Sequence, residues 1–439
     1  MIKEDVRTLN QGQQEASDGF FAFLFSDEKE MIISGPGGVG KTFTMGQLID
    51  EVMPRYFSTC KLMGIKPEYD EIMMTATTNK AAEVLGQATK RPTGTIHSFL
   101  NLTVKDDMNT GRAKLTKTGN WKVHERKIIF VDECSMLDSP LEKALLEGTH
   151  KSKIVYVGDH CQLAPVTEEI SPIYKRGLPF FELTQPMRNA GQPALMAICQ
   201  QLRNTVETGV FHPIQIVPGV IDHVDDAEMQ AMLKITFAQQ TKESRILAWS
   251  NDQVGQYNNY IRAIRHLPPE YQVGEILVNN SAFKINRRDM LSVEQEIEIT
   301  ELASGTYMLD VDDKNTGTVM LEVRNATLKT NLSQVYHDVP LPVDRNHYSE
   351  LLNYYRRQKN WSRFFFLKNT IPDLRPRDAA TIHKAQGSSY DTVFIDVGNL
   401  STCHLQNVVA RLLYVAFSRA RTRVILYGDL SAKYGGLVS

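Results

Sequence analysis

The stretch from Gly35 to Thr42 reads GPGGVGKT. An apolar run, EMIIS, precedes it, and a segment with helical spacing, FTMGQLIDEVM, follows. This G-x-x-x-x-G-K-[ST] pattern commits the chain to a strand, a glycine-rich loop and a helix N-terminus. The same order recurs in EIMMTATTNKAAEVLGQ, KIIFVDECSMLDSPLEKALL and KIVYVGDHCQLAPV. Strands alternating with helices predict a parallel sheet, with ligand loops at the carboxyl ends of its strands. A second α/β unit begins at SRILAWSNDQVGQYNNYIRAI, resumes at AATIHKAQGSSYDTVFIDVG and closes with LLYVAFSRARTRVILYG. The expected fold class is therefore α/β, with two parallel-sheet P-loop-type domains. Residues 1–200 form the first, and residues 201–266 with 378–439 form the second. A polar stretch at about 103–126, with the turn signal MNTGR, reads as a projecting β-hairpin. Residues 267–377 read as an insertion, β-like at first and then helical, basic and aromatic.

The loop glycines let backbone N–H groups wrap a phosphate, and the helix dipole favours the negative charge. Gly35, Gly37, Gly38, Val39 and Gly40 are the expected cradle. Lys41 is expected to reach the β- and γ-phosphates, and the Thr42 hydroxyl to ligate Mg2+. Asp132 and Glu133 end an apolar run, IIFVDE. Asp132 suits Mg2+, and Glu133 suits orienting and deprotonating a water. These motifs establish an NTPase, which leaves kinase, transporter subunit, switch and motor open.

Composition narrows little. The chain has 439 residues, with Lys plus Arg at 49 and Asp plus Glu at 51, a net charge of −2. It carries no general basic coat, but a local basic groove is enough for nucleic acid. Cys60, Cys134, Cys161, Cys199 and Cys403 form no C-x-x-C pair, against zinc ribbons and iron–sulfur clusters. No signal peptide is visible, and FFAFLF is too short to span a bilayer. The expected location is the cytoplasm.

Asp159, His160 and Cys161 are adjacent in KIVYVGDHCQLAPV. A metal site there is expected to be poor, because neighbours on an extended segment point in opposite directions. Gln162 is neutral and follows the next core strand. That suits sensing a γ-phosphate or its water.

GDHCQLAPV resembles motif III of the superfamily 1 helicases. LNQGQ resembles their Q motif, TATTNKAAEVL motif Ia, GTIHSFL the segment after it, and LTQPMR motif IV. TIHKAQGSSYD resembles motif V and LLYVAFSRAR motif VI. The resemblance lies with the RecD-like branch and covers nearly the whole chain. It implies two RecA-like domains, a pin hairpin in the first, and an SH3-like barrel with a helical arm inserted in the second. It implies ATP with Mg2+, Gln13 as adenine reader, Arg188 and Arg419 as arginine fingers, and Gly387, beside Gln386, near the γ-phosphate. ATP is expected between the two domains, whose closure moves a gripped strand.

Thr77, Asn79, Lys80, His97 and Ser98 are the strand-contact candidates of the first domain. Thr381, His383 and Lys384 are those of the second. For each T-I-H, the alternative is a histidine that merely caps a strand. Trp249 and Phe99 read equally as stacking residues or core. The pin departs from the family in lacking an aromatic at its tip, where only Met108, Leu115 and the later Trp121 stand. NYYRRQKNWSRFFF is expected to contact the pin or incoming DNA, or else to be core. The implied activity is an ATP-dependent DNA helicase moving 5′→3′, in phage DNA replication or recombination. A protein-displacing single-strand translocase and a nucleotide-gated binding module are the alternatives. The implied partners are single-stranded DNA and forked duplex, with a single-strand-binding protein as an optional third. No membrane is implied, and a monomer is the default.

Overall fold

The computed structural model describes residues 9–111, 113–165, 168–185, 192–286, 289–311 and 319–438. The chain divides into two compact units. The first comprises residues up to Thr103, Leu115–Ile214 and His404–Ser418; the second comprises Val104–Lys114, Gln215–Cys403 and the residues from Arg419 onward.

The first unit is built on a six-stranded sheet. Its order is Phe180–Glu182, Glu30–Ser34, Lys153–Gly158, Lys127–Asp132, Glu71–Ala76, Thr93–Thr95, and every pair is parallel. Strand side chains alternate between faces. Met31, Ile33, Ile128, Phe130, Val155 and Val157 join one core with Phe20, Met45, Leu48 and Tyr56. Ile32, Ile129, Val131, Ile154 and Tyr156 join the other with Ile96, Leu141 and Leu145. Burial on both faces explains why EMIIS and KIVYVG read as continuous apolar runs.

Two charged residues start those strands and are still buried, so each needs partners. Glu30 accepts from Arg176 Nη1 and Nη2 at 2.7 Å and from the Tyr156 hydroxyl at 2.9 Å. Lys153 donates to the carbonyls of Ser26, at 2.8 Å, and Glu28, and lies 4.4 Å from the Phe23 ring centroid.

The second unit holds a five-stranded sheet in the order Ile221–Val224, Ala420–Tyr427, Tyr390–Asp396, Ser244–Ala248, Ala379–Thr381, again all parallel. Into it is inserted an antiparallel sheet. Met320–Thr330 is its long strand, flanked by Glu296–Leu302, Tyr307–Asp310 and Val335–Pro342; Ile276–Asn279 and Leu374–Pro376 complete it. Helices Arg345–Arg357 and Trp361–Thr370 follow the long hairpin. Arginines tie the junction down. Arg265 makes a two-pronged pair with Asp378 at 2.8 and 2.6 Å, Arg262 pairs with Glu275, and Arg377 bonds Glu296 at 3.1 Å.

The projecting hairpin pairs Leu102–Asp106 with Ala113–Lys117, a shorter span than the sequence suggests. Trp121 is not at its tip. It packs with Leu115 against the core of the first sheet, and Lys117 lies over its ring at 4.2 Å. Met108 is exposed at the tip. Gly111 abuts Trp361: a Cβ there would meet the indole at 2.4 Å. Tyr355 and Phe365 of the helical pair are core, whereas Tyr354 and Phe366 are exposed. Among the described residues no helix is long and apolar enough to cross a membrane.

Candidate active site

In the first unit the strand Glu30–Ser34 is followed by Gly35, and the helix Lys41–Gln47 starts six residues after that glycine. The loop between them depends on its glycines. Gly38 and Gly40 both have φ of 85°, which side chains rarely adopt, and a Cβ on Gly35 would strike the Leu183 carbonyl at 2.4 Å. Gly37 is exposed and faces open space, and Val39 is buried. Lys41 Nζ donates to the carbonyls of Gly35 at 2.7 Å and Pro36 at 2.9 Å, so it lies along the loop's inner edge. Thr42 is in the first turn of the helix. Gln13 is fully buried beside the loop. Its amide donates to the Val39 carbonyl at 3.3 Å and accepts the Asn10 N–H at 3.2 Å, closing a capping box on Gln11–Phe25.

Asp132 ends the strand Lys127–Asp132, and Glu133 follows with φ of 51°. Burial, then the charge of Glu133, pushes the Asp132 carboxyl up to about 7, and Lys41 opposes them. A carboxyl so destabilised as an anion favours a nearby cation. Lys41 is near enough to act on the Asp132 charge, and Thr42 is the next residue; a hydroxyl and a carboxylate are donor types that a hard divalent ion takes. Thr77 supports this loop. Its N–H reaches the Asp132 carbonyl at 3.3 Å and its hydroxyl donates to the Glu133 carbonyl at 3.1 Å. Thr77 is itself buried.

The strand Lys153–Gly158 runs into Asp159, His160, Cys161 and Gln162. Here the chain turns, with Gln162 N–H on the Asp159 carbonyl at 3.0 Å. The turn overturns the extended-chain argument against a metal, since the three candidate ligand atoms lie within 4.8 Å of one another. What opposes a cation is charge. Arg203 Nη1 sits 2.6 Å from Asp159 Oδ1 in a fully buried setting. Burial works to raise the Asp159 carboxyl, but Lys41, Arg203 and the Tyr414 hydroxyl outweigh it and hold it below the ordinary value. Gln162 is buried as well. Its amide nitrogen bonds Asp159 at 3.4 Å, while its Oε1 has no hydrogen-bond partner among the described residues.

In the second unit Arg419 is buried rather than paired at the surface. It donates to the Ser388 carbonyl at 3.1 Å, which places it beside Gly387, whose φ is 79°. Arg188 lies outside the described residues. Among the strand-contact candidates, Asn79 and Ser98 are exposed, and Lys80 pairs with Glu83 at 3.6 Å. His97 and His383 are half-buried, and burial lowers both below the ordinary histidine value. Thr95, not His97, caps the short helix Ile96–Phe99. Thr381 is buried, and Lys384 is held by Asn280 and, at 3.0 Å, by Glu294. Phe99 stacks on His124 at 4.1 Å, which favours its packing role. The backbone N–H groups of Trp249 and Ser250 are fixed by Asn399 Oδ1 at 2.9 and 3.0 Å.

Sequence reasoning missed Asp159, Arg203, Arg411 and Tyr414 as site residues. Asp159 and Tyr414 stand inside the motif III and VI stretches and were open to notice. Arg203 carries no such signal: it is one arginine on the amphipathic helix Pro193–Thr208.

Two family models match the chain in order. One described as an AAA domain covers residues 8–212, and one described as a UvrD-like helicase C-terminal domain covers residues 378–427. The ATP-dependent DNA helicase dda of Enterobacteria phage T4 is 24% identical over 453 residues, spanning 94% of this chain and 98% of its own. An uncharacterized protein of Acanthamoeba polyphaga mimivirus is 22% identical over 496 residues, spanning 95% and 99%. Among solved structures, a Pif1 helicase from a study of forked dsDNA aligns with a TM-score of 0.53 at 15% identity, covering 98% of this chain and 94% of that one. Bacteroides Pif1 in complex with ADP-AlF3 and ssDNA aligns at 0.50 and 14%, covering 98% and 95%. These two likenesses speak for the fold. With the motifs from Gly35 to Arg419 in order, both family models in place and a phage helicase matched over nearly its whole length, the chain is similar to superfamily 1 helicases from end to end.

Proposed function

We propose that the chain is an ATP-dependent DNA helicase that moves 5′→3′ on single-stranded DNA and opens duplex ahead of it. One observation carries the reading. Lys41, the Asp132–Glu133 pair and Gln162, whose Oε1 has no partner among the described residues, lie at or just past the carboxyl ends of three neighbouring parallel strands in one unit. Such edges are where α/β sheets bind ligands. The end-to-end phage relative, itself an ATP-dependent DNA helicase, supports the same activity.

In this reading the loop N–H groups and Lys41 hold the phosphates. Thr42 and Asp132 would hold Mg2+, which supplies positive charge at the β- and γ-phosphates. Glu133 takes a proton from the attacking water, and the Gln162 Oε1 acceptor orients that water. Arg188 and Arg419 are proposed to stabilise charge on the transferred phosphoryl group. Gln13 is proposed to read the adenine from its buried place beside Val39. Thr77, Asn79, Lys80, His97, Ser98, Thr381, His383 and Lys384 are the proposed strand contacts. His97 and His383 act there as neutral hydrogen-bonding groups, since burial disfavours their charged form. The polarity follows from the RecD-like branch, as does a role in phage DNA replication or recombination in the host cytoplasm.

A second reading, a translocase that clears bound proteins and unwinds weakly, is favoured by the hairpin tip. It carries exposed Met108 and no aromatic between Asp107 and Gly111. ATP turnover with and without single-stranded DNA tests the motor itself. Stimulation by the strand supports it, and equal turnover in both overturns it.

A further inference from the structure

Behind the Gln162 loop lies a buried polar cluster that no step of the reaction uses. Asp159 Oδ1 accepts from Arg203 Nη1 at 2.6 Å and from the Cys161 N–H at 3.1 Å. Asp159 Oδ2 accepts from the Tyr414 hydroxyl at 2.6 Å and from the Gln162 amide at 3.4 Å. Arg411 Nη1 donates to the carbonyls of His160 at 2.6 Å and Gln162 at 2.5 Å. Gln162 is thus gripped twice, by its side chain through Asp159 and by its backbone through Arg411.

Arg411 and Tyr414 stand on one helix, Gln406–Ser418, three residues apart and so on one face. In chain order this helix falls between two strands of the second sheet, Tyr390–Asp396 and Ala420–Tyr427. By packing it lies in the first unit, along Pro193–Thr208, the helix that carries Arg203. The chain passes from the first unit to the second between Ser418 and Arg419. Arg419 therefore begins where the clamped helix ends.

We infer that Arg203, Arg411 and Tyr414 are positioning residues that lock the Gln162 loop to the Gln406–Ser418 helix, so that the loop's response to nucleotide sets how Arg419 is presented. The physical reason is stiffness. Buried hydrogen bonds to a charged group resist breaking, because the group left behind is unsatisfied. A loop that shifts as Gln162 finds a partner for its Oε1 must carry Asp159, and Asp159 carries Tyr414. An α-helix passes that displacement along its axis over the roughly 6 Å from residue 414 to residue 418, its last, at about 1.5 Å per residue. The inference rests on the proposed roles of Gln162 and Arg419.

The test is Tyr414→Phe, which removes one hydroxyl from Asp159. Its comparison is Tyr257→Phe, which removes a like buried bond in the second unit, Tyr257 hydroxyl to Asp396 at 2.7 Å. ATP kcat and KM are measured at saturating single-stranded DNA, with base pairs opened per ATP and thermal stability alongside. Tyr414→Phe is expected to lower kcat by about tenfold and to open fewer base pairs per ATP, with KM for ATP within about twofold of the parent. Tyr257→Phe is expected to lose similar thermal stability and keep the parent kcat. Parent-like kcat and coupling in Tyr414→Phe overturn the inference, as does a kcat loss shared by both variants. Should Tyr414→Phe fail to fold, Arg411→Lys, which loses the two-carbonyl grip, takes its place with the same outcomes. An active parent with an active Tyr414→Phe overturns the clamp alone, whereas a parent without DNA-stimulated turnover overturns the motor reading and the clamp together.

Discussion

At the scale of the residue, Glu133 stands out by its backbone. A non-glycine residue held at φ 51° costs on the order of 1–3 kcal/mol, and such strain persists only where neighbours enforce it. The enforcers are identifiable: the Thr77 hydroxyl and the Met136 N–H, at 3.1 Å each, both bond the Glu133 carbonyl. In the proposed reaction the Glu133 carboxylate is the group that takes a proton from water. Glu133→Gln keeps the shape and loses the proposed base. It is expected to cut ATP turnover by about 10²–10⁴-fold while still binding nucleotide. Equilibrium binding of a fluorescent ATP analogue, set beside steady-state turnover, checks this. Turnover within a few-fold of the parent contradicts the assignment. Lys41→Ala is expected to lose turnover and weaken nucleotide binding as well, in the same two assays. These residues were legible in the sequence because the chemistry requires a fixed type at a fixed place after a strand. Arg203 was not, because its partner Asp159 is 44 positions away and only the fold brings them together.

At the scale of the element, the hairpin Leu102–Asp106 with Ala113–Lys117 depends on its tip. Gly111 has φ of 69° and lies against Trp361. Gly111→Val therefore meets both a backbone penalty and a collision with the indole ring. The variant is expected to keep single-strand-stimulated ATP turnover and lose most duplex opening. Unwinding that stays at the parent rate shows that the tip is not the wedge. The two T-I-H elements make a separate prediction. His97 and His383 are lowered by burial, with Asp138 working against this at His97. The unfolded chain then binds more protons than the folded chain once pH falls below the ordinary histidine value of 6.5. Stability from these groups is present above that value and is lost as pH falls through their folded values. Urea unfolding at about pH 7.5 and about pH 5.5 should show a smaller acid loss for His383→Gln than for the parent. An identical loss in both contradicts it.

At the scale of the whole molecule, both parallel sheets were legible, because strands buried on both faces read as apolar runs ahead of glycine-rich or polar loops. The inserted sheet was legible only as β-like pieces. Its strand Leu374–Pro376 pairs with Ile276–Asn279 across nearly a hundred residues, and no local signal encodes such a partner. The place of the helix Gln406–Ser418 was hidden for the same reason. Its neighbours in sequence belong to one unit, but its buried hydroxyl and half-buried guanidinium find partners in the other stretch of chain that forms the first unit. The candidate site divides likewise. Its loops follow from local pattern, and the groups that hold them follow from packing.

The central claim is that nucleotide turnover at Lys41, Asp132 and Glu133 drives directed movement along one strand. The most direct measurement is unwinding of a partial duplex carrying a single-stranded tail at one end only, with ATP and Mg2+ present. A 5′-tailed duplex is expected to be opened and a 3′-tailed duplex is not, and Glu133→Gln is expected to open neither. Opening of the 3′-tailed substrate alone contradicts the polarity, and opening that persists in Glu133→Gln contradicts the engine.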